Sequence, residues 1–268
     1  LPKRDALYVR SSGAQDTFLY SGMMSSSQTQ KAITKLVTWN IRGLNNPVKR
    51  NKIFTHLEKM KSEIVFMQET HMLNKEYLKL KRGGFTQVYH SGSGGTFRGV
   101  AILLHRNIQF VESKAITDKN GRYLIIQEKL FNLPVILANI YAHNWDNAQF
   151  FKDVFSLLPQ LDTHSLILGG DFNCVLHQSL DRSSPRTNIG SKSAQCINSF
   201  LLEYGMIDPW RFKYPTQKQI SFFSSVHHTY SRIDYFLMDR KLLSLLSSVE
   251  YESIVISDHI PVTGFIAG

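Results

Sequence analysis

The alternation of short apolar runs with helical patterns is the feature that most constrains the fold of this chain. The apolar runs are rich in β-branched residues and are bounded by Gly, Pro, Asn or charged residues, which is typical of largely buried strands. They span residues 35–41, 63–69, 99–105, 123–129, 134–141, 165–169, 232–238 and 261–266. Strands that alternate with helices predict one mixed α/β domain.

Local signals mark three helices between these strands. Asn46 followed by Pro47 is typical of an N-cap and a first helical position. Asp146 with Gln149 resembles a capping box, and Gly205 suits the position after a helix end. Each helix has one apolar face, which we interpret as a core face. The three faces are Ile53, Phe54, Leu57 and Met60; Phe150, Phe151, Val154, Phe155 and Leu158; and Ala194, Ile197, Phe200, Leu201 and Tyr204.

The N-terminal segment differs in composition from the rest. Residues 11–30 are rich in Ser, Gly, Gln and Thr and have no periodic apolar pattern, and the chain begins at Leu1 rather than at Met. We therefore predict a flexible leader over residues 1–32, either added to the natural chain or left by processing, and one folded domain over residues 33–268.

Charge and composition exclude several protein classes. Among the 268 residues there is no run of about 18 apolar residues, so no membrane contact is expected. Two cysteines, Cys174 and Cys196, are too few for a disulfide scaffold or a thiolate metal cage. We favour two reduced thiols in an intracellular chain. A single bridge between the two cysteines is the alternative. The formal net charge of +10 indicates a polyanionic partner, most often nucleic acid.

Polar residues terminate five of the apolar segments. These residues are Asn40, Glu69, Tyr141, Asp171 with Asn173, and Asp258 with His259, which follow the segment 250–257. An isolated charge after a buried run is costly unless it is paired or binds a metal. Taken singly, each residue has a structural explanation, such as a turn cap, a solvated strand end or an interfacial hydroxyl. Taken together in a basic α/β chain, they predict a common site at one rim of a sheet.

The chemistry that suits this set is metal-assisted hydrolysis of a phosphodiester. Mg²⁺ prefers one or two carboxylates and fills its other positions with water and phosphate. The sequence contains no zinc-type Cys/His spacing, no phosphate-binding P-loop and no serine-hydrolase elbow. Gly92, Gly94 and Gly95 indicate a hairpin loop rather than a nucleotide fingerprint.

Eight ordered motifs resemble the endonuclease domain of LINE-type (non-LTR) retrotransposons. This is a branch of the exonuclease III/apurinic endonuclease group in the endonuclease/exonuclease/phosphatase superfamily. The resemblance extends from Thr34 to about Ile266. The motifs are TWNIRGLN, MQETH, GVAIL, NIYAHN, GGDFN, LDRSS, TYSRIDYFL and SDHIPV. The resemblance implies a four-layered α/β sandwich, in which two mixed β-sheets pack face to face with helices outside.

The resemblance also implies roles for the strand-end residues. Glu69 would be the principal Mg²⁺ ligand, with Asn40 beside it and Asp258 near the metal directly or through water; Mn²⁺ is an alternative ion. Asp171 would act as general base on the attacking water, and Asn173 would hold that Asp or the phosphate.

His259 would donate to a non-bridging oxygen of the phosphate. Asp234 would orient its ring, and Tyr141 would donate to the phosphate or the leaving oxygen. The products would carry a 3′-hydroxyl and a 5′-phosphate, as priming of reverse transcription requires.

Substrate DNA is expected to lie against basic residues near these motifs. The basic residues are Arg42, Lys49, Arg50, Lys52, Arg182, Arg186, Lys213 and Lys218, of which we expect about half to contact no phosphate. The resemblance implies that residues 221–231 form a β-hairpin in the minor groove. Its expected DNA contacts are Ser221, His228 and Ser231, with Arg182 inserting close by and Arg42 contacting a phosphate. His227 and His228 are adjacent, so we do not expect them to share a metal.

Arg42 departs from the repair-enzyme pattern, which has an acidic residue at this position, and so disfavours an abasic-site substrate. The expected function is therefore Mg²⁺-dependent nicking of duplex DNA, with moderate preference for pyrimidine–purine steps such as T-A. The expected partners are duplex DNA and a reverse transcriptase domain of the parent polyprotein. The excised domain is expected to be a monomer that acts in the nucleus on chromosomal DNA. Two alternatives remain open: another phosphodiesterase or phosphatase of the superfamily, and a catalytically inactive DNA-binding module.

Overall fold

The computed structural model describes residues 33–109, 114–130, 132–159, 161–184 and 190–268. The leader predicted over residues 1–32 lies outside this range. Between the ends of the described range, strands and helices alternate as the sequence pattern predicts. The strands are β1 (Ile33–Asn40), β2 (Ile64–Gln68), β3 (Phe85–Ser91), β4 (Val100–His105), β5 (Lys114–Thr117), β6 (Tyr123–Leu130), β7 (Leu133–Tyr141), β8 (Ser165–Asp171), β9 (Met206–Ile207), β10 (Phe222–Ser224), β11 (Thr229–Ser231), β12 (Asp234–Asp239), β13 (Leu246–Tyr251) and β14 (Val262–Ala267).

Two six-stranded mixed sheets form the centre of the domain. The first has the order β13-β14-β1-β2-β4-β3, and the second has the order β5-β6-β7-β8-β12-β9. Each sheet contains one parallel pair, β1 with β2 and β7 with β8, and its other pairs are antiparallel. Parallel neighbours bring their carboxyl ends to the same edge of a sheet, so Asn40 and the end of β2 meet, as do Tyr141 and Asp171.

The two sheets pack face to face through apolar side chains. Leu36, Phe66 and Ile102 of the first sheet contact Ile126, Leu137 and Phe236 of the second in one buried cluster. The rings of Phe66 and Phe236 meet edge to face, with centroids 5.7 Å apart. A small polar group also crosses this interface, because Gln68 Nε2 donates to Asn139 Oδ1 at 2.8 Å. Paired polar groups of this kind can be buried without a large desolvation penalty.

Helices cover the outer faces of both sheets. They are α1 (Pro47–Lys59), α2 (Ala148–Ser156), α3 (Lys192–Glu203) and α4 (Pro209–Lys213), together with 3₁₀ helices over Asn74–Leu80 and Arg240–Ser244. The first sheet packs on α1 and the second packs on α2 and α3 through two further apolar clusters. The predicted four-layered sandwich is therefore confirmed.

The caps of these helices follow the predictions with one exception. Asn46 accepts hydrogen bonds from the amides of Val48 and Lys49, so α1 begins as predicted. The capping box predicted for Asp146 is wrong, because the N-cap of α2 is Asn147. Asp146 instead accepts from the amides of Lys192 and Ser193 and stabilises the first turn of α3.

Further local features of the fold concern glycines, cysteines and helix length. Gly170 lies where β7 and β8 approach closely, and a Cβ at this position would come within 2.1 Å of the Ile140 carbonyl oxygen. The glycines after Ser91 form the predicted loop between the antiparallel strands β3 and β4. Both cysteines are free thiols, as favoured. No helix in the described part of the chain combines the length and the apolar character that a membrane crossing needs.

Candidate active site

A cavity of about 630 Å³ opens where the ends of the two parallel strand pairs meet. Its walls include Glu69 after β2, Tyr141 at the end of β7 and Asp171 at the end of β8. His259 lines the same cavity from the segment between β13 and β14. The residues predicted to share one phosphate therefore lie in one pocket.

Asn40 joins the two sheets at the base of this cavity. Its Nδ2 atom donates to Glu69 Oε1 and to Asp171 Oδ2, each at 2.9 Å. Its Oδ1 atom accepts from the amide of Arg42 at 3.1 Å. In this arrangement Asn40 holds two carboxylates in place. Its predicted role as a metal ligand stays a prediction.

Glu69 stands in a left-handed backbone conformation, with φ of 53°. Neighbouring backbone bonds hold this strained residue, because Gly43 N donates to its carbonyl at 2.7 Å. Burial raises the pKa of Glu69, but hydrogen bonds from His71 and Asn40 outweigh this effect and lower the pKa to about 2. The His71 bond, Nε2 to Oε2 at 3.0 Å, was not predicted, although His71 belongs to the MQETH motif. Glu69 is therefore ionised at neutral pH.

Tyr141 stays protonated and is positioned as a hydrogen-bond donor. Burial, followed by the negative charges of Glu69 and Asp171, raises the pKa of its hydroxyl far above the ordinary value. The hydroxyl is hydrogen-bonded to Glu69, and the Arg122 guanidinium lies 5.3 Å from the ring centroid. The predicted role of Tyr141 at the phosphate is consistent with this protonated state.

Asp171 is a fully buried carboxylate with a raised pKa. Burial and the charge of Asp234 raise the pKa to about 7, against the opposing effects of His259 and Asn40. Its Oδ1 atom accepts from the backbone amide of Asn173 at 3.0 Å. The Asn173 side chain does not reach Asp171 and donates instead to the Ala142 carbonyl. Asn173 thus holds the carboxylate through its main chain, and the carboxylate has a pKa near neutrality, as a general base would need.

His259 and Asp234 form the predicted hydrogen-bonded pair. The Nδ1 atom of His259 lies 2.9 Å from Asp234 Oδ2, and its Nε2 atom lies 4.0 Å from Asp171 Oδ2. Burial lowers the pKa of His259, but the charge of Asp234 and the hydrogen bond to it outweigh burial and raise the pKa to about 9. The imidazolium form is therefore available as a proton donor at neutral pH.

The donor set at the base of the cavity fits a divalent cation that prefers oxygen ligands. Glu69 supplies an ionised carboxylate on the cavity wall, with the amide of Asn40 beside it. A second set of possible metal ligands consists of Asp171, Asp234 and His259, whose ligand atoms lie within 4.8 Å of one another. Asp234 is a poor ligand, because its carboxylate already accepts from His259 and from Ser221. Glu69 is the better anchor for a metal.

Asp258 lies at the rim rather than at the base of the cavity. Its carboxylate forms an ion pair with Arg42, and about a third of the side chain is exposed. The segment before it is not a strand, since β13 ends at Tyr251, so the prediction of a strand ending at Asp258 is wrong. The ion pair occupies the Arg42 guanidinium that was expected to contact phosphate. Metal binding by Asp258 stays a prediction.

The predicted β-hairpin is present, with β10 and β11 joined by a turn over residues 225–228. His227 and His228 both lie on this turn rather than in a strand, and both are exposed; His227 also lines the cavity. Ser231 is buried at the base, where it lines the cavity and pairs with Arg182. Arg182 lines the cavity too, which fits its expected position.

Three expectations about DNA contact need correction or fall outside the structure. Ser221 has no exposed surface, so direct DNA contact is wrong. Its hydroxyl donates to Asp234 Oδ2 at 2.7 Å. Arg50 is buried and donates to the Leu44 carbonyl, so it is a structural residue of α1. Arg186 lies outside the described residues.

Sequence reasoning also missed how the segment before Asp234 is held. Arg232 is fully buried and donates to Asp181 from Nε at 2.9 Å, and it pairs with Asp208. Arg211 pairs with the same Asp181. The LDRSS and SRID motifs contain two of these residues, but their pairing across 51 positions leaves no local signal. This network fixes the strand that carries Asp234.

Comparison with known proteins agrees with this geometry. The chain is 28% identical over 273 residues to the DNA repair nuclease APEX1 of Danio rerio, covering 91% of this chain and 86% of that protein. It is 24% identical over 253 residues to an exodeoxyribonuclease of Bacillus subtilis, covering 85% of this chain and 97% of that protein. Both relatives are nucleases by name.

Solved structures share the fold. The AP endonuclease LMAP from Leishmania major matches with a TM-score of 0.75 at 18% identity, over 94% of this chain and 92% of that one. An AP endonuclease from Archaeoglobus fulgidus matches with a TM-score of 0.67 at 21% identity, over 86% of this chain and 98% of that one. The predicted enzyme class, a hydrolase of phosphodiesters, is confirmed by the nuclease relatives together with a family match over residues 37–259. The chain belongs to the Endonuclease/Exonuclease/phosphatase family.

Proposed function

We propose that this protein is a Mg²⁺-dependent endonuclease that nicks duplex DNA and leaves a 3′-hydroxyl, as the endonuclease domain of a LINE-type retrotransposon. The observation that carries the proposal is the convergence of Glu69, Asp171 and His259 on one cavity, with Asn40 bonded to both carboxylates. The resemblance of the eight ordered motifs supplies the retrotransposon assignment.

The proposed chemistry divides among three side chains. Asp171, with a pKa near 7, accepts the proton of the attacking water. His259 donates a hydrogen bond to a non-bridging phosphate oxygen from Nε2, because Nδ1 is engaged by Asp234. Tyr141, held protonated, donates to the phosphate or to the leaving oxygen. Donors of this kind stabilise the charge that develops in the transition state.

A cation held by Glu69, with Asn40 beside it, would neutralise charge on the phosphate when bound. Asn40 also restricts the separation of Glu69 and Asp171, so the proton acceptor stays at a fixed position relative to the cation ligand. A well-placed donor or charge is commonly worth about 3 kcal/mol of transition-state stabilisation.

Duplex DNA is the proposed substrate because the cavity lies beside a projecting hairpin. The hairpin exposes apolar side chains, among them Val226 at 81% and Tyr230 at 44%. We propose that it enters the minor groove and selects flexible T-A steps by shape. Arg42, paired with Asp258, stands where a repair enzyme would carry an acid, which favours intact DNA over an abasic site.

The proposed biological setting is target-primed reverse transcription. The nick would supply the primer for a reverse transcriptase domain of the same polyprotein, and the protein would act in the nucleus on chromosomal DNA. We propose that the domain acts as a monomer.

The test is conversion of supercoiled plasmid to nicked circles with Mg²⁺ or Mn²⁺. We expect the wild type to nick, and Glu69→Gln and Asp171→Asn to lose the activity while keeping salt-dependent DNA binding. Glu203→Gln, an exposed carboxylate at the end of α3, is the matched control and should nick normally.

Mapping of the nicks decides between the proposal and its alternatives. Ends that a DNA polymerase extends, enriched at T-A steps, support the proposal. Cleavage confined to abasic sites, or hydrolysis of phosphomonoesters without nicking, would assign another activity of the superfamily. Binding without nicking by the wild type would indicate an inactive DNA-binding module.

A further inference from the structure

The loop between β7 and α2 carries an exposed indole beside the active-site cavity. Trp145 is 59% exposed, whereas the other two tryptophans of the chain, Trp39 and Trp210, are buried. Its neighbour Asn144 lines the cavity that also contains Glu69 and His259. Since adjacent Cα atoms are about 3.8 Å apart, the backbone that carries Trp145 borders this cavity.

The indole contacts a neighbouring ring of the protein. The His143 ring contacts it with centroids 4.4 Å apart and planes tilted by 54°. His143 in turn packs edge to face on the buried Phe150 at 5.0 Å. The indole therefore has a ring neighbour in the protein, and its large exposed fraction leaves room for a flat partner.

The loop that carries Trp145 is fixed at both ends. At its start, the Ala142 amide donates to the Asp171 carbonyl at 2.9 Å, and the Ala142 carbonyl accepts from Asn173 at 3.0 Å. At its end, Asp146 accepts from two amides of α3, and Asn147 caps α2. A preorganised aromatic side chain loses little entropy when it binds.

The surroundings favour a nucleobase over a protein surface. Asn144, Asp146 and Asn147 flank the indole in the sequence, so there is no contiguous apolar stretch in this loop to receive an apolar protein patch. A single flat aromatic face among polar groups, in a chain of net charge +10, suits stacking of a base whose phosphates meet the basic surface.

We propose that Trp145 is a base-stacking residue that receives a nucleobase of the substrate strand near the cleaved phosphate. The inference rests on the proposed function, because it needs DNA in the active-site cavity. Together with the hairpin, which contributes Phe223 and Val226 to the wall of the cavity, Trp145 would give the bound strand apolar contacts from two separate loops.

Tryptophan fluorescence tests this proposal directly. In the Glu69→Gln background, which prevents cleavage, addition of duplex DNA with a central T-A step should quench the emission. Trp145→Phe in the same background should bind DNA but show no quenching. Quenching of the same size in Trp145→Phe would come from the two buried tryptophans and would overturn the proposal.

Affinity measured by anisotropy of labelled DNA provides the second readout. Trp145→Ala should weaken binding by about five- to 150-fold, which corresponds to the stacking range of about 1–3 kcal/mol per base. Trp145→Phe should lose less, because it retains an aromatic face. Phe212→Ala, which removes an equally exposed ring on α4, should bind normally.

The outcomes separate this proposal from the proposed function. DNA binding with unchanged emission, or with equal affinity for Trp145→Ala and the parent, overturns base stacking and leaves the nuclease proposal intact. Absence of DNA binding by the parent protein overturns both.

Discussion

The imidazole of His259 shares its Nδ1 atom with both carboxylate oxygens of Asp234, at 3.0 Å and 2.9 Å. The pair is buried, and the Ser221 hydroxyl donates to the same carboxylate from the base of the hairpin. On the other side of the ring, Nε2 faces the Asp171 carboxylate at 4.0 Å. In this arrangement the imidazolium of His259, a possible proton donor, and the carboxylate of Asp171, a possible proton acceptor, line the same cavity.

The pH dependence of nicking should be bell-shaped. Asp171 must be ionised to accept a proton, so kcat/KM should rise as the pH increases through about 7. His259 must be protonated to donate, so kcat/KM should fall as the pH increases through about 9. Rates measured between pH 5 and 10 at constant ionic strength would show both limbs. A rate that is flat over this range would contradict the assignment of both residues.

Removal of the Asp234 charge should move the alkaline limb, and the acidic limb as well, because the same charge raises the pKa of Asp171. In Asp234→Asn the pKa of His259 is expected to fall from about 9 toward its ordinary value of about 6.5, because the charge that stabilises the imidazolium is lost. Nicking at pH 8 should fall by roughly 30-fold, because about 3% of an imidazole with a pKa of 6.5 is protonated at that pH, against about 90% of one with a pKa of 9. NMR titration of the His259 ring would report the pKa without reference to activity.

The Ser221 hydroxyl should stabilise the domain and position Asp234. It accepts from the amides of Ile233 and Asp234 at 2.9 and 3.0 Å while it donates to the Asp234 carboxylate. Ser221→Ala should lower the free energy of unfolding by about 1–3 kcal/mol, because buried polar groups lose their partner. It should also lower kcat more than it changes KM.

Ser221→Thr is the control, since it keeps the hydroxyl and should recover most of kcat. If Ser221→Ala instead raised KM for DNA with kcat unchanged, the serine would be a substrate contact. Urea denaturation and steady-state nicking kinetics together distinguish these cases.

The buried charge network should be necessary for stability. Asp181→Ala leaves the fully buried Arg232 without the carboxylate that its Nε and Nη2 atoms contact at 2.9 and 3.0 Å. Removing one partner of a buried pair costs about 3–5 kcal/mol. Urea denaturation should therefore show a large fall in the midpoint.

Lys79→Ala removes an exposed pair with Glu76 and is the matched control. Its effect on the free energy of unfolding should be much smaller than that of Asp181→Ala, because solvent screens an exposed ion pair. Equal effects of the two substitutions would show that the Asp181 network contributes no more than a surface ion pair.

Much of the fold could be predicted because its signals are local. The predicted runs 35–41, 63–69 and 165–169 correspond to β1, β2 and β8 within two residues at each end, since β-branched apolar runs between turn residues have few other stable conformations. The N-cap at Asn46 could be predicted for the same reason, because its signal is also local. The role of Asp146 could not be predicted in this way. Its carboxylate accepts from an amide of α3 that is 46 positions away, and only the packing of α2 against α3 brings Asp146 close to that amide.

The sequence by itself determined which polar residues end the buried strands. Asn40, Glu69, Tyr141 and Asp171 follow buried strands, where an unpaired polar group is costly, and that cost is visible in the order of residues alone. Tertiary structure alone decided how these groups act on one another. The bond from Asn40 to Asp171 spans 131 positions, and the contact of Ser221 with Asp234 depends on the path of a hairpin. Burial and the separation of charges set the pKa values and the partners, and both exist only once the two sheets have packed.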